Sequence, residues 1–311
     1  MIPLPGGRRL EIPPTGAVVA ILNVTPDSFS DGGRFASAGE ALEAALCAAD
    51  AGAAMVDVGG ESTRPRGNAY GAGAAEVPEE EEFARVLPVV AALRAARPRL
   101  PISVDTRRPA VARKAIEAGA DAVNAVLGLD VPDELLSLVA SSGAALVLNH
   151  CRGTPATTFA LSRFGEVLTD VAADLSAARE RALAAGVPPE RIVLDPGFGF
   201  GKSAGECWTL LAGIDRLAPP GVPLMVGASR KAFLGGATAA PPLPPAARLP
   251  ESLGAVAVAR AAAPGRPLLF RVHDAAETLR FLAVLGRASA ASAPGRPGGR
   301  PADRPAEWPL D

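Results

Sequence analysis

The chain has 311 residues, of which 49% are hydrophobic and 21% charged, so it is long enough for one large domain or two ordinary ones. Its formal charge of −2 gives no overall attraction to nucleic acid or to an anionic membrane. No apolar stretch approaches the roughly 18 residues of a membrane span, and the opening residues MIPLPGGRRLEIPP lack the apolar core of a secretion signal. These features predict a globular, cytoplasmic protein.

Short apolar runs rich in Val, Ile and Leu alternate along the chain with longer stretches rich in Ala and Glu. Runs that are apolar throughout are typical of parallel strands buried on both faces, and the longer stretches indicate helices. Strands are predicted at 18–23, 55–58, 101–105, 121–126, 144–149, 191–195, 223–227 and 267–272, and helices at 39–52, 79–96, 109–118, 132–142, 164–186, 205–213, 249–263 and 275–287.

The eight strand–helix units predict an α/β fold, a (β/α)8 TIM barrel in a single domain, which typically needs about 250 residues. An open doubly wound sheet is the alternative, but it usually carries a glycine fingerprint after its first strand, where this chain has TPDSFSDGG. We therefore predict an N-terminal extension over 1–16, the barrel over 17–288 and a disordered tail rich in Pro, Gly and Arg over 289–311.

The cysteine and histidine content argues against several kinds of site. Cys47, Cys151 and Cys207 are far apart and odd in number, which fits neither a disulfide framework nor a zinc site. Two histidines are fewer than a zinc hydrolase normally needs, and the G-x-S-x-G elbow of a serine hydrolase is missing. We expect reduced cysteines that serve packing and no activated serine or cysteine nucleophile.

The stretch IVLDPGFGFGKSAGE over 192–206 looks at first like a nucleotide-binding loop but does not match one. A P-loop needs glycine where Pro196 stands, and proline has no N–H to offer a phosphate. The dinucleotide pattern fails because Lys202 occupies the place of the third glycine. What remains is a strand that ends at Asp195 and turns sharply, with glycines that let the chain pass close to a site.

Nearly every predicted strand ends in a polar side chain. One such residue alone is usually a turn or cap residue, but in a barrel the carboxyl ends of all strands face one active site. Both histidines also lie at strand ends. In strand order the residues are Asn23, Asp57, Asp105, Asn124, Asn149 with His150, Asp195, Ser229 to Lys231, and Arg271 with His273.

These residues, together with Arg64 on a loop, form two chemical groups. One offers acceptors and donors to a planar heterocycle, since a carboxylate can accept two parallel N–H bonds from a guanidine-like edge. The other suits an anion such as pyrophosphate, and Asn23 in it could also ligate Mg²⁺, which prefers oxygen. The heterocycle group is Asp105, Asn124, Asp195 and Lys231, and the anion group is Asn23, Arg64, Arg271 and His273.

Six segments resemble the signature segments of dihydropteroate synthases, a family of pterin-binding enzymes. They are ILNVTPDSFSDGG, VDVGGESTRP, ISVDT, DPGFGFGK, GASRKAFLG and RVHD, and they follow the family's order over roughly residues 17–287. The resemblance implies a transferase of folate biosynthesis that condenses 6-hydroxymethyl-7,8-dihydropterin pyrophosphate with p-aminobenzoate to 7,8-dihydropteroate and pyrophosphate. It also implies Mg²⁺ as cofactor, small-molecule substrates and a homodimer formed through the later helices.

The resemblance also implies a role for each candidate residue. The pterin binds in the depth of the barrel, and two long loops close over p-aminobenzoate. Pyrophosphate leaves in an SN1-like step without a protein nucleophile. Phe200 either lines the aminobenzoate pocket or only packs within its turn. Lys202 matches the family's motif, and its alternative role is purely structural. The pterin ligands are Asp105, Asn124, Asp195, Lys231 and Arg271; the pyrophosphate ligands are Asn23 (also the metal ligand), Arg64, Arg271 and His273; the aminobenzoate contacts are Thr63, Pro65 and Phe200; and the catalytic residues are Arg64, Lys231, Arg271 and His273.

Three positions depart from the usual family pattern, and two other functions stay open. Ala125 replaces a common aspartate, Asn149 a methionine and Ala232 a common serine, so we expect effects on substrate preference and a more polar pterin pocket. One alternative is a related barrel that transfers a methyl group from methyltetrahydrofolate to a corrinoid protein, which needs neither STRP nor RVHD. The other is a non-catalytic paralogue, which would not need the pyrophosphate cluster.

Overall fold

The chain folds into the (β/α)8 barrel that its sequence predicts. The structure, a computed structural model, describes residues 1–24, 38–61, 77–126, 130–154 and 157–291. Eight parallel strands close into a barrel in which neighbours along the chain pair with each other and the last strand pairs with the first. An antiparallel hairpin of β1 Ile2–Pro3 and β2 Arg9–Leu10 precedes the barrel strands, which are β3 Ala17–Asn23, β4 Met55–Gly59, β5 Ile102–Asp105, β6 Ala122–Ala125, β7 Ala145–Asn149, β8 Ile192–Asp195, β9 Leu224–Val226 and β10 Leu268–Val272.

Helices connect the strands of the barrel and lie outside it. Within the described parts of the chain, none of them is long and apolar enough to span a membrane. Short 3-10 helices occur at Pro5–Gly7, Pro189–Arg191, Ile214–Leu217 and Pro245–Ala247. The α-helices are α1 Ala38–Ala51, α2 Glu79–Ala96, α3 Pro109–Glu117, α4 Asp133–Ser142, α5 Thr158–Leu161, α6 Val167–Ala184, α7 Ala204–Ala212, α8 Ala232–Gly235, α9 Leu249–Ala262 and α10 Ala275–Ala291.

Local sequence signals set several helix boundaries. Pro109 opens α3, where its missing N–H would have no helical partner in any case. Ser203 and Glu206 form a capping box at the start of α7, and Gly143 ends α4 in the left-handed region with φ 76°. Such signals act over a few residues, so the sequence alone indicates these boundaries well.

Some predicted boundaries differ from the observed ones. Helix α6 begins at Val167 and not at 164, because the Glu166 side chain caps it by accepting from the Thr169 N–H. The four-residue helices α5 and α8 have no sequence period long enough to indicate them. Helix α10 continues to Ala291, past the predicted barrel end at 288. Residues 292–311 lie outside the described chain, so the division into 1–16, 17–288 and 289–311 stays a prediction.

Side chains of the strands alternate between the outside and the inside of the barrel, as strand geometry requires. The outward-facing side chains pack with the helices in one large apolar cluster. A second apolar cluster fills the inside, and Ile2, Leu4 and Leu10 of the hairpin belong to it. Polar side chains are therefore left to the carboxyl ends of the strands. The barrel residues of the inner cluster are Val19, Met55, Ala122, Ala145, Val147, Val193, Met225 and Leu269.

Candidate active site

The inward-facing side chains at the carboxyl ends of the strands form a buried polar layer. On β4, β6, β7, β8 and β10 the inward position below the polar residue is apolar, whereas on β5 both Ser103 and Asp105 are polar. Strand ends that are far apart in sequence are thus brought together, as predicted. The neighbours in register on adjacent strands are Asp57 with Ser103, Asp105 with Asn124, and Asn149 with Asp195, each of them at most 6% exposed.

Arg271 lies in this layer between two carboxylates. Its Nε donates to Asp57 Oδ2 at 2.6 Å, and its Nη2 donates to Asp105 Oδ2 at 2.7 Å. Asp57 also accepts from Ser103 Oγ at 2.5 Å and from Asn124 Nδ2 at 3.0 Å. Charge-assisted bonds of this kind fix the plane of a guanidinium. Asp57, for which the sequence indicated no role, is the residue that holds Arg271 at this depth.

Burial raises the pKa of the two carboxyls predicted to bind pterin. The pKa of Asp105 rises to about 7, chiefly because burial disfavours the charged form, while the charge of Arg271 acts in the opposite direction. The pKa of Asp195 is also raised by burial, although the Gly197 N–H donates to its Oδ1 at 2.7 Å and opposes the rise. Perturbed carboxyls inside a cleft are typical of functional sites.

Lys231 and Phe200 lie side by side. The Lys231 ammonium is 4.4 Å from the centre of the Phe200 ring, within cation–π range. Burial lowers the pKa of Lys231 to about 8, the charge of Arg271 acts in the same direction, and the charge of Asp195 opposes both. Phe200 therefore contacts a predicted pterin ligand and does more than fill its own turn.

Three buried oxygen atoms of the polar layer accept no hydrogen bond from the described residues. They are the Oδ1 atoms of Asp105, Asn124 and Asn149, at the ends of the consecutive strands β5, β6 and β7. Leaving a buried acceptor unpaired costs about 1–3 kcal/mol. A ligand with several N–H groups would offset that cost at all three positions.

His273 and Asn23 border a cavity of about 270 Å³ that is otherwise lined mainly by helix α1, the outward face of β3 and the start of α10. The His273 Nδ1 lies 3.0 Å from Ser229 Oγ, which also accepts from the His273 backbone N–H at 3.2 Å. A Cβ added at Gly59 would lie 3.7 Å from Asn23 Oδ1 and 3.8 Å from Asp105 Oδ2. Asn23 and His273 thus lie at the rim of the barrel next to this cavity, whereas Arg271 lies among carboxylates inside the barrel.

Arg230 ties the loop that carries Lys231 to the strand end that carries His273. Its Nε and Nη2 donate to the two carboxylate oxygens of Asp274 at 3.0 and 2.6 Å. Its backbone adopts φ 58°, which is unusual for a residue other than glycine, and its N–H donates to Ser252 Oγ at 3.0 Å. The sequence showed Arg230 only as part of a motif, because its partner lies 44 positions away.

The predicted residues Thr63, Arg64 and Pro65 lie outside the described residues, as does the TPDSFSDGG segment. The described residues on either side of 62–76 contact each other, because the Val77 N–H donates to Glu61 Oε1 at 3.2 Å. Arg107 Nε donates to Glu61 Oε2 at 3.1 Å and holds the same carboxylate from β5's side of the barrel.

The three departures from the family pattern lie in different environments. Ala125 faces outward into the apolar cluster between strands and helices, so it does not reach the polar layer. Asn149 faces inward, is 5% exposed and adds an amide to that layer, as expected. Ala232 begins α8 directly after Lys231. Of the three, Asn149 has the most direct chemical effect on the site.

Comparison with known proteins agrees with this geometry. The profile of the family described as pterin binding enzyme matches residues 19–273. The dihydropteroate synthase of Synechocystis sp. is 43% identical over 234 residues, which cover 75% of this chain and 78% of the relative. That of Mycobacterium leprae is 42% identical over 274 residues, covering 86% and 92%.

Solved structures of dihydropteroate synthases from other organisms are similar to the fold of this chain. The dihydropteroate synthase of Xanthomonas albilineans with 4-aminobenzoic acid has a TM-score of 0.79 and 39% identity, covering 93% of this chain and 99% of its own. That of Burkholderia cenocepacia with 7,8-dihydropteroate has a TM-score of 0.76 and 37% identity, covering 89% and 92%. The chain thus belongs to the pterin-binding enzymes and, within them, to the dihydropteroate synthases, a family of transferases.

Proposed function

We propose that this barrel condenses 6-hydroxymethyl-7,8-dihydropterin pyrophosphate with p-aminobenzoate, giving 7,8-dihydropteroate and pyrophosphate. The observation that carries the proposal is the row of three unpaired acceptors on Asp105, Asn124 and Asn149, next to the Asp195 carboxylate. The pyrimidine edge of a pterin carries a ring N–H and an amino group, which are the donors that such a row lacks. Lys231 supplies donors to the carbonyl and ring nitrogens on the other edge.

Pterin binding is assigned to Asp105, Asn124, Asp195 and Lys231. The pKa of Asp105 is about 7 and that of Lys231 about 8, so both groups titrate near neutral pH and a bound ligand would change their protonation. Arg271 lies in the same layer, so its guanidinium is suited to the pterin face. Its predicted contact with pyrophosphate would use the other N–H groups of the guanidinium, since Nε and Nη2 already donate to Asp57 and Asp105.

The pyrophosphate is assigned to Asn23, His273 and Arg64, with Thr63 and Pro65 beside p-aminobenzoate and Phe200 as a wall. The Asn23 amide oxygen is a hard oxygen donor, which suits Mg²⁺. Among the described residues no group of three or more His, Cys, Asp or Glu side chains could hold a metal. Asn23 would hold Mg²⁺ together with substrate oxygens, and the bound ion would neutralise charge on the leaving group.

In the reaction the carbon–oxygen bond to pyrophosphate breaks and the aromatic amine forms a carbon–nitrogen bond to the same methylene carbon. The electron pair of the broken bond leaves with pyrophosphate, and the proton lost by the amine passes to pyrophosphate or water. The protein's part is to hold the electron-rich pterin, to bind the departing charge through His273 and Arg64, and to orient the amine. No covalent intermediate with the protein is needed.

The test is to mix the purified chain with the pterin pyrophosphate, p-aminobenzoate and Mg²⁺ and to measure dihydropteroate. Formation of dihydropteroate that stops when any substrate is omitted supports the proposal. Pterin binding without product would instead indicate a non-catalytic paralogue. Methyl transfer from methyltetrahydrofolate to a corrinoid protein would indicate the other alternative.

We also propose that the protein is a cytoplasmic homodimer. Helices α7 and α9 pack against each other and expose Trp208 and Val258, at 38% and 40% exposure. Neighbouring exposed apolar side chains are typical of protein interfaces. Val258→Glu should shift the sedimentation coefficient from dimer to monomer, whereas Lys114→Glu, at an exposed position on the early helix α3, should not. A wild-type protein that sediments as a monomer would contradict the dimer.

A further inference from the structure

The turn that follows β8 carries two predicted site residues, Asp195 at its start and Phe200 near its end. Gly197, Gly199 and Gly201 in this turn all have positive φ, at 67°, 80° and 64°. A Cβ at Gly197 would lie 2.0 Å from the His150 backbone oxygen, so the turn packs tightly against the end of β7. The backbone of this turn therefore decides where both site residues lie.

The side chain of Lys202 binds the backbone of this turn. Its Nζ donates to the backbone oxygens of Gly197 at 3.0 Å and of Phe200 at 3.1 Å, and it lies 2.9 Å from His150 Nδ1. The three N–H groups of the ammonium thus have three close acceptors, and the His150 backbone oxygen is a fourth at 3.4 Å. Lys202 is 4% exposed, and burial lowers its pKa to about 8. A buried charge is stable only with such partners.

His150 is held in one tautomer by its two neighbours. An ammonium has no acceptor, so Nδ1 must offer its lone pair to Lys202, and the ring proton must lie on Nε2. This Nε2–H donates to Asp174 Oδ2 on helix α6, at an N···O distance of 3.0 Å. Burial and the Lys202 charge together lower the pKa of His150 to about 4, so the ring is neutral at ordinary pH.

We propose that Lys202, oriented by the neutral His150 ring and Asp174, is a positioning residue for the substrates of this site. Through Gly197 it sets the N–H that binds the Asp195 carboxylate, and through the Phe200 carbonyl it sets the ring that lies against Lys231. The inference rests on the proposed function for the identity of the substrates. It assigns a purpose to Lys202 of the DPGFGFGK segment and to His150 at the end of β7, neither of which the reaction itself uses.

The kinetic test replaces Lys202 by methionine, with Lys114→Met as the control, because Lys114 is an exposed lysine on α3 paired with Glu117. Lys202→Met should raise the KM for p-aminobenzoate and the Kd for the pterin about tenfold or more, with kcat changed by less than about threefold, since binding surfaces and not reacting atoms are displaced. Lys114→Met should change none of these. A folded Lys202→Met protein with wild-type KM and Kd would overturn the proposal.

A spectroscopic test on the wild-type protein does not depend on how the variant folds. The chain has two histidines, so ¹⁵N-histidine labelling yields two imidazoles, and His273→Asn assigns them. His150 should show an unprotonated Nδ1 and a protonated Nε2 that persist between pH 5 and 8, in line with its lowered pKa. An Nδ1–H tautomer or titration near pH 6.5 would refute the role of Lys202. Absence of dihydropteroate formation by the wild type would refute the proposed function alone.

Discussion

Asp195 ends β8 with its side chain inside the barrel and one carboxylate oxygen bound to the Gly197 N–H. Asp195→Asn keeps the shape of the side chain but replaces one carboxylate oxygen, which can accept from the ligand's N–H groups, with an NH2 donor. The loss of a charged hydrogen-bond partner corresponds to about 1.5–3 kcal/mol, so the Kd for the pterin should rise tenfold or more by calorimetry. The exposed Asp133→Asn on α4 serves as control. Equal affinity of wild type and Asp195→Asn would show that this carboxylate is only a turn residue.

Asp105 is a carboxyl whose pKa rises from 3.8 to about 7 on folding, chiefly through burial. The folded state binds this proton more tightly than the unfolded state, so its contribution to stability is present below about pH 4 and is lost as pH rises through 7. Asn mimics the protonated form. The free energy of unfolding of wild type relative to Asp105→Asn should therefore fall between pH 4 and 7 and then level off. Urea unfolding at several pH values measures this difference, and a difference that does not vary with pH would contradict it.

At the scale of elements, the turn between β8 and α7 depends on glycine at one position in particular. At Gly197 an alanine Cβ would meet a backbone oxygen at 2.0 Å, and φ is 67°. That oxygen belongs to His150 and cannot move without displacing the end of β7. Gly197→Ala should therefore lower the free energy of unfolding by about 2–5 kcal/mol. Gly205→Ala in α7, where nothing lies within 4 Å, should be neutral or stabilising by up to about 1 kcal/mol. Equal melting curves for the two variants would mean that the turn can adapt.

At the scale of the whole molecule, the N-terminal hairpin packs against the amino end of the barrel, opposite the site. Ile2 is fully buried in the inner apolar cluster, and Arg8 Nε donates to the buried Asp121 Oδ1 at 2.7 Å. Ile2→Ala should destabilise the protein by about 2–5 kcal/mol through the cavity it leaves. Pterin affinity should not change, because the site lies at the other end of the strands. The control Val284→Ala, at an exposed position, should stay within about 0.5 kcal/mol; a loss of pterin binding in Ile2→Ala would show that the two ends are coupled.

Local sequence patterns are enough to predict the barrel and its layer of polar strand ends. Continuous apolar strands such as VVAILN and IVLD predict burial on both faces, and their spacing predicts the eightfold alternation with helices. Their boundaries lie within one residue of the observed ones, because apolar runs, prolines and caps act locally. The carboxyl ends of parallel strands share one edge, so the polar layer with Asp105, Asn124 and Asp195 could also be predicted.

The pairing of the polar groups with each other depends on the folded chain and could not be predicted from the sequence. Arg271 was predicted to bind both the pterin and the pyrophosphate. In the structure it lies between Asp57 and Asp105, which are 214 and 166 positions away along the chain. The link from Lys202 through His150 to Asp174 likewise joins the turn after β8, the residue that follows β7, and helix α6. Hydrogen-bond partners and pKa values depend on distances and burial across strands, and no local pattern encodes these. The N-terminal hairpin was missed for the same reason, since its strands are stabilised by the barrel interior and not by their own two residues each.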